Sequence, residues 1–84
     1  MATARISLSG RVSDPAYPAW IARHAAKLGL RILATDSARN RIDVTASGPE
    51  ELLHALALAA SLGPESVLVE RVAFGLDGAA GKGP

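Results

Sequence analysis

The 84-residue sequence contains no cysteine and only one each of tryptophan, tyrosine and phenylalanine. Without cysteine the chain has no disulfide framework, no thiolate chemistry and no cysteine-ligated zinc. Its two histidines, His24 and His54, are too few to hold a metal by themselves, so we expect no metal and no other cofactor. With so few aromatic residues, the core must be built from leucine, isoleucine, valine and alanine.

The sequence also lacks an excess of charge of one sign and a long apolar run. Nine Lys and Arg residues face eight Asp and Glu residues, for a net charge of +1. This balance argues against a polybasic surface as the main functional device. The longest apolar stretch, Leu52 to Leu62, is about half the length that spans a bilayer. The first ten residues contain no apolar segment of a signal peptide. We therefore expect a cytoplasmic protein without a membrane partner.

The composition is that of one small globular domain. Hydrophobic residues make up 49% and charged residues 20% of the chain, which excludes intrinsic disorder, and the length allows no second domain. We predict a folded domain over residues 1–74. The glycine-rich segment 75–84 has little to bury and is predicted to be a flexible C-terminal tail.

Hydrophobic periodicity and turn residues predict six elements in the order β-α-β-β-α-β. Period-two alternation predicts strands near 4–12, 30–36, 41–47 and 66–74, and three- and four-residue spacing predicts helices near 18–29 and 49–62. Gly29 suits the end of the first helix, and Asn40 suits a hairpin turn. This order predicts an α+β, ferredoxin-like sandwich, in which a four-stranded antiparallel sheet carries both helices on one face.

The two faces of the predicted sheet differ in chemistry. The inward positions and the helix stripes predict a single core of Ile6, Leu8, Ile21, Ala25, Leu28, Ile42, Val44, Leu52, Leu56, Val69 and Val72. The outward positions of the central strands are Arg5, Ser7, Ser9, Arg41, Asp43 and Thr45. Sheets that recognise RNA stack bases on aromatic side chains. Because none of these outward residues is aromatic, we expect no nucleic-acid partner.

The first loop and its flanks carry a recognisable motif. Residues 10–20 have the sequence GRVSDPAYPAW. Five of them, Gly10, Arg11, Val12, Tyr17 and Trp20, match the Gly-Arg-Val-Gln-Gly-Val-x-Phe/Tyr-Arg-x-Trp/Phe motif of acylphosphatases. The segments 26–30 (AKLGL), 48–51 (GPEE) and 69–72 (VERV) also match that family. From Arg5 to Phe74 the chain therefore resembles an acylphosphatase.

The resemblance implies a site at the first loop, and the chain departs from the family there. In the family, backbone N–H groups of this loop wrap the substrate phosphate, an Arg binds the same phosphate, and an Asn positions the attacking water. The Arg position is Pro18 here and the Asn position is Asp36. The positions equivalent to the phosphate loop are Ser13, Asp14, Pro15, Ala16 and Tyr17. We therefore assign no residue of the chain a catalytic role.

Each departure acts against anion binding. Pro18 has neither charge nor donor, so the charge-assisted hydrogen bonds of an Arg are lost. Pro15 and Pro18 also remove two backbone N–H groups. Asp14 adds a negative charge, and Asp36 replaces an amide by an acceptor-only carboxylate. Arg11 is the nearby basic residue: it is either a substitute anion ligand or a solvated strand residue.

The sequence is compatible with two functions. One is a pseudoenzyme: an acylphosphatase-like, hydrolase-like fold that is catalytically degenerate and acts as a non-catalytic binding module. Its partner would be an unknown protein or small-molecule ligand, and it would be a monomer or a weak homo-oligomer. The alternative is an acylphosphatase that hydrolyses the carboxyl–phosphate bond of acyl phosphates with a rearranged site. Pro18 and Asp36 favour the first hypothesis.

Overall fold

The computed structural model describes residues 2–77 and contains the six predicted elements in the predicted order. They are β1 (Ala2–Arg11), α1 (Tyr17–Lys27), β2 (Arg31–Ser37), β3 (Arg41–Gly48), α2 (Glu50–Leu62) and β4 (Leu68–Asp77). The largest departure is the end of β4, which lies at Asp77 instead of residue 74. Gly75 and Leu76 pair with Arg5 and Ala4 of β1, and this pairing extends the strand. The rest of the predicted tail, 78–84, lies outside the described residues.

The four strands form one antiparallel sheet in the order β2-β3-β1-β4. With both helices on one face, this arrangement confirms the ferredoxin-like α+β prediction. Both edge strands are irregular. Ser9 pairs with Arg71 and Gly10 with Val69, so Glu70 is an extra residue in β4, and Leu33 is an extra residue in β2. Such bulges bend the strand and disturb the pairing ladder. Neither helix within residues 2–77 is long and apolar enough to cross a membrane.

The helices begin and end where local chemistry favours it. Pro18 lies in the first turn of α1, where a missing N–H costs no helical hydrogen bond. After α1, Gly29 adopts a φ of +76°, a left-handed conformation that ends helices. In α2, Glu50 and Glu51 occupy the first turn, where carboxylates interact favourably with the helix dipole.

The core lies between the sheet and the helices. The predicted residues Ile6, Leu8, Ile21, Ala25, Ile42, Val44 and Leu56 are buried. Leu28, Leu52 and Val69 are only partly buried and pack against this cluster. Val72 was predicted to be buried and is 39% exposed. It lies on the edge strand β4, where the helices do not cover the sheet fully. In α2, Leu53 is fully buried beside the predicted Leu56, whereas the predicted Leu52 is only partly buried.

Candidate functional site

Asp14 closes the loop between β1 and α1 upon itself. Its Oδ1 atom accepts a hydrogen bond from the N–H of Ala16 at 2.9 Å, and its carbonyl oxygen accepts one from the N–H of Tyr17 at 3.0 Å. Aspartate side chains commonly bond the backbone two residues ahead and so initiate turns. A carboxylate of the chain itself therefore occupies an N–H group of the loop.

The second oxygen of the Asp14 carboxylate joins this loop to a distant turn. Oδ2 accepts a hydrogen bond from the hydroxyl of Ser66, which lies just before β4. The Ser66 hydroxyl, followed by the Ala16 N–H, lowers the pKa of Asp14 below its ordinary value, because both donors favour the ionised form. The carboxylate is thus a stabilised anion at the position where the resemblance places a phosphate.

Few N–H groups of the loop remain for another anion. Among the six residues 13–18, Pro15 and Pro18 have no N–H, and those of Ala16 and Tyr17 both bond Asp14. The remaining two belong to Ser13 and Asp14, beside the carboxylate. An anion site of this kind uses several converging N–H groups and a positive potential, and this loop has two N–H groups not bonded to Asp14, beside a carboxylate.

Tyr17 anchors the loop instead of lining it. The side chain is fully buried, and its hydroxyl donates a hydrogen bond of 2.5 Å to the carbonyl oxygen of Ala60 in α2. Burial raises the pKa of this phenol to about 12, because the charged phenolate would lose its hydration. Tyr17 is therefore committed to the core and does not present its hydroxyl to a ligand.

Asp36 lies on the sheet face opposite the helices, in an open concavity of about 480 Å³. The residues that line it are Arg5, Ser7, Ala34, Asp36, Arg41, Asp43 and Thr45. None of the residues 13–18 belongs to this lining. Of the two parts of the family site, this concavity therefore contains the position of the Asn and not the loop.

Arg11, the candidate substitute anion ligand, is exposed and alternates with the buried Val12 at the end of β1. It pairs with Leu68 of β4 and is absent from the lining of the concavity. Its proposed role as an anion ligand stays a prediction. Pro18 is partly buried in the first turn of α1 and offers no polar group at the position of the family Arg.

A polar network at the concavity was not foreseen from the sequence. The Ser7 hydroxyl donates a hydrogen bond of 2.5 Å to Oδ1 of Asp43, and Nε of Arg41 lies 3.3 Å from Oδ2 of the same carboxylate. Sequence alternation placed all three residues on the outward face but did not give their register. The pairing of Ser7 with Asp43 across β1 and β3 brings them together.

The two histidines lie in ordinary packing environments. His24 stacks on Trp20 with ring centroids 4.0 Å apart, and His54 stacks on Phe74 at 4.3 Å. Nε2 of His54 also lies 3.9 Å from Oε2 of Glu50, one helical turn earlier in α2. Across residues 2–77, no three histidine or acidic side chains are grouped so that they could hold a metal ion.

Comparison with known proteins places this fold among acylphosphatases. The acylphosphatase of Koribacter versatilis is 37% identical over 71 residues, which cover 83% of this chain. The chain spans 64% of the length of that relative. No protein-family model matches the chain.

Two solved structures have the same fold. The crystal structure of the acylphosphatase from Bacillus subtilis superposes with a TM-score of 0.82 at 23% identity, covering 92% of this chain and 86% of that one. The acylphosphatase from Coxiella burnetii gives a TM-score of 0.82 at 17% identity, covering 90% of this chain and 80% of that one. At these identities the two structures establish the shared fold.

Proposed function

We propose that this chain, which has the fold of the acylphosphatases, is a catalytically degenerate form of that fold and acts as a non-catalytic binding module. The observation that carries the proposal is the state of the first loop. The Asp14 carboxylate accepts hydrogen bonds from the Ala16 N–H and the Ser66 hydroxyl. A phosphate at the same loop would meet this negative charge and would find few free donors.

The missing guanidinium supports the same conclusion. An Arg bound to a transferring phosphoryl group supplies paired hydrogen bonds and stabilises charge in the transition state. Loss of a single preorganised donor of this type costs about 10²–10³ in rate in other enzymes. Pro18 supplies neither, and Asp36 adds a carboxylate where the family has a neutral amide. These changes all disfavour an anionic substrate.

The direct test is hydrolysis of acetyl phosphate and benzoyl phosphate by the purified protein. An acylphosphatase from one of the related organisms, assayed in parallel, is the positive control. We expect turnover at least about 10³-fold below that control, from the loss of the guanidinium together with the added carboxylates. Turnover within tenfold would overturn the proposal in favour of an acylphosphatase with a rearranged site.

A second test restores the family residues. Pro18→Arg with Asp36→Asn returns a guanidinium and an amide, and Asp14→Gly with Pro15→Val then frees the loop. We expect titration with inorganic phosphate to leave the backbone amide shifts of residues 13–18 unchanged in the natural protein. The double variant should bind phosphate weakly. The quadruple variant should bind it more tightly, because Asp14→Gly removes the carboxylate that accepts the Ala16 N–H. Saturable shifts in the natural protein would contradict the proposed loss of the phosphate site.

The binding module has two kinds of surface for its ligand or partner. Edge strands β2 and β4 expose backbone groups that pair with added strands in other proteins. The sheet face opposite the helices carries the charged concavity described above. A protein partner, a small molecule and weak self-association are all compatible with the proposal.

A further inference from the structure

Four charged side chains line the concavity on the sheet face, and two of them form an ion pair with each other. Arg5 and Arg41 contribute two positive charges, and Asp36 and Asp43 two negative charges. The negative charge of Asp43 is balanced within the chain, because its carboxylate accepts a hydrogen bond from the Ser7 hydroxyl and pairs with Nε of Arg41. Arg5 and Asp36 make no ion pair with any residue that the structure describes. The concavity is therefore neutral as a whole and has one open charge of each sign.

The strand register keeps these two open charges apart. Arg5 lies opposite Thr45, whereas Asp36 lies opposite Asp43, which is two residues before Thr45 in β3. The strands that carry them, β1 and β2, are separated by β3, which puts their backbones about 10 Å apart across the sheet. Arg41 engages Asp43 through Nε, so its terminal nitrogens remain donors toward the concavity. A compact ligand can bridge between the arginines and the carboxylate.

The floor between the charges is built of short side chains. Ser7, Ala34 and Thr45 lie between Arg5 and Asp36, and Ala73 and Gly75 of β4 continue the small-residue surface beyond β1. A Cβ atom added at Gly75 would meet nothing within 4 Å. The absence of bulk lets a small molecule approach the sheet, and a volume of about 480 Å³ lies within the usual range of about 300–1,000 Å³ for ligand sites.

We infer that this concavity binds a small zwitterion, whose carboxylate or phosphate is held by Arg5 and Arg41 and whose ammonium group is held by Asp36. Guanidinium groups bind both types of acid through paired N–H donors. The Asp36 carboxylate discriminates against a simple anion and favours a ligand that carries a cation as well. The inference rests on the proposed binding role and assigns its ligand class.

The test uses two zwitterions, β-alanine and phosphoethanolamine. It also uses two one-charge compounds, inorganic phosphate and ethylammonium, each of which carries charge of a single sign. Each is titrated into the isotope-labelled full chain while the backbone amides of Ser7, Asp43 and Thr45 are followed. Both zwitterions carry the required charges, so a comparison of them tells whether the site prefers a carboxylate or a phosphate. We expect saturable shifts at these amides with at least one zwitterion, at a Kd of about 1 mM, and weaker binding of both one-charge compounds.

Substitution of three exposed residues, one at a time, tests which charges bind the ligand. Arg5→Gln should weaken both the zwitterion and phosphate about tenfold, which corresponds to about 1.4 kcal/mol. Asp36→Asn should weaken the zwitterion by a similar factor and leave phosphate equal or tighter. Arg31→Gln is the matched control, because the register places Arg31 on the same face at Ser47, outside the lining. It should leave both affinities unchanged.

Three outcomes overturn the inference: no saturable shift with either zwitterion up to about 50 mM, an equal loss in Arg31→Gln and Arg5→Gln, or no loss of zwitterion affinity in Asp36→Asn. The same samples are assayed for acetyl phosphate hydrolysis. Hydrolysis overturns the proposed loss of catalysis, whether or not the concavity binds a zwitterion. Failed zwitterion binding without hydrolysis overturns the ligand assignment alone.

Discussion

The hydroxyl of Tyr17 donates a hydrogen bond of 2.5 Å to the carbonyl oxygen of Ala60, and this bond ties the start of α1 to the last turns of α2. The phenol ring is fully buried between the helices and the sheet. The motif places this residue at the end of the phosphate loop, but in the structure its side chain is part of the core.

The pKa of the Tyr17 phenol should lie well above that of an ordinary tyrosine. Burial raises its pKa from 10.0 to about 12 in the folded chain. Because the unfolded chain loses this proton first, the free energy of unfolding should be unaffected by Tyr17 below pH 10 and fall as the pH rises from 10 to about 12. Tyr17 is the sole tyrosine, so tyrosinate absorbance measures its titration directly.

The control for this titration is the same chain in denaturant, which should titrate near 10.0. A second control is Tyr17→Phe. It should remove the tyrosinate signal and cost about 1 kcal/mol of stability at neutral pH, because the hydrogen bond to Ala60 is lost. Folded protein that titrates together with the denatured chain would show that the phenol is solvated.

Leu56→Ala should destabilise the fold, whereas Leu58→Ala should not. Leu56 is fully buried, and Leu58, two residues along the same helix, is 66% exposed. Truncation of Leu56 leaves a cavity between α2 and the sheet and should cost about 2–5 kcal/mol. The exposed Leu58 should change stability by less than about 0.5 kcal/mol. Urea midpoints of both variants check this, and equal shifts would mean that the helix face is assigned wrongly.

Asp14→Asn should lower stability at neutral pH, and the loss should disappear in acid. The Ser66 hydroxyl and the Ala16 N–H hold the pKa of Asp14 below its ordinary value. The ionised carboxylate therefore stabilises the fold above the unfolded pKa, and this contribution is lost as the pH falls through the folded pKa. Urea unfolding of the variant and the natural protein across the acidic range measures the difference.

Ser66→Ala tests the same contact from its other side. It removes the donor that lowers the Asp14 pKa most, so it should raise that pKa and reduce the acid-dependent part of the stability. Ser13→Ala, an exposed serine in the same loop, is the matched control and should do neither. An Asp14 pKa that is the same in the Ser66 and Ser13 variants would contradict the contact between the loop and the turn before β4.

Gly10→Ala should be more damaging than Gly29→Ala, although both glycines have positive φ angles, of +133° and +76°. A Cβ atom at Gly10 would lie 2.5 Å from the carbonyl oxygen of Leu68 and 2.8 Å from the backbone nitrogen of Glu70, whereas one at Gly29 meets nothing within 4 Å. Gly29→Ala should cost about 1–2 kcal/mol from backbone strain alone. Gly10→Ala adds overpacking of about 1–3 kcal/mol. Equal urea midpoints would rule out the close approach at the β4 bulge.

The candidate site was partly visible in the sequence. The presence of Pro18 and Asp36 at the family's Arg and Asn positions needs only an alignment of motifs. The closure of the loop by Asp14 was not foreseen beyond its charge, because the partner Ser66 lies 52 residues away. Nor did alternation show that Arg5, Arg41 and Asp36 face one concavity, since that depends on the register of three strands.

The sequence by itself determined the order and type of all six elements, because period-two and helical spacing, Gly29 and the turn residues are local properties. Tertiary structure alone decided how far each apolar side chain is covered. Val72 is as apolar as Val44, yet one is 39% exposed and the other 1%, because Val72 lies on the edge strand β4 and Val44 on the interior strand β3. Burial depends on which strand lies beside which, and that order is fixed by packing between segments far apart in the chain.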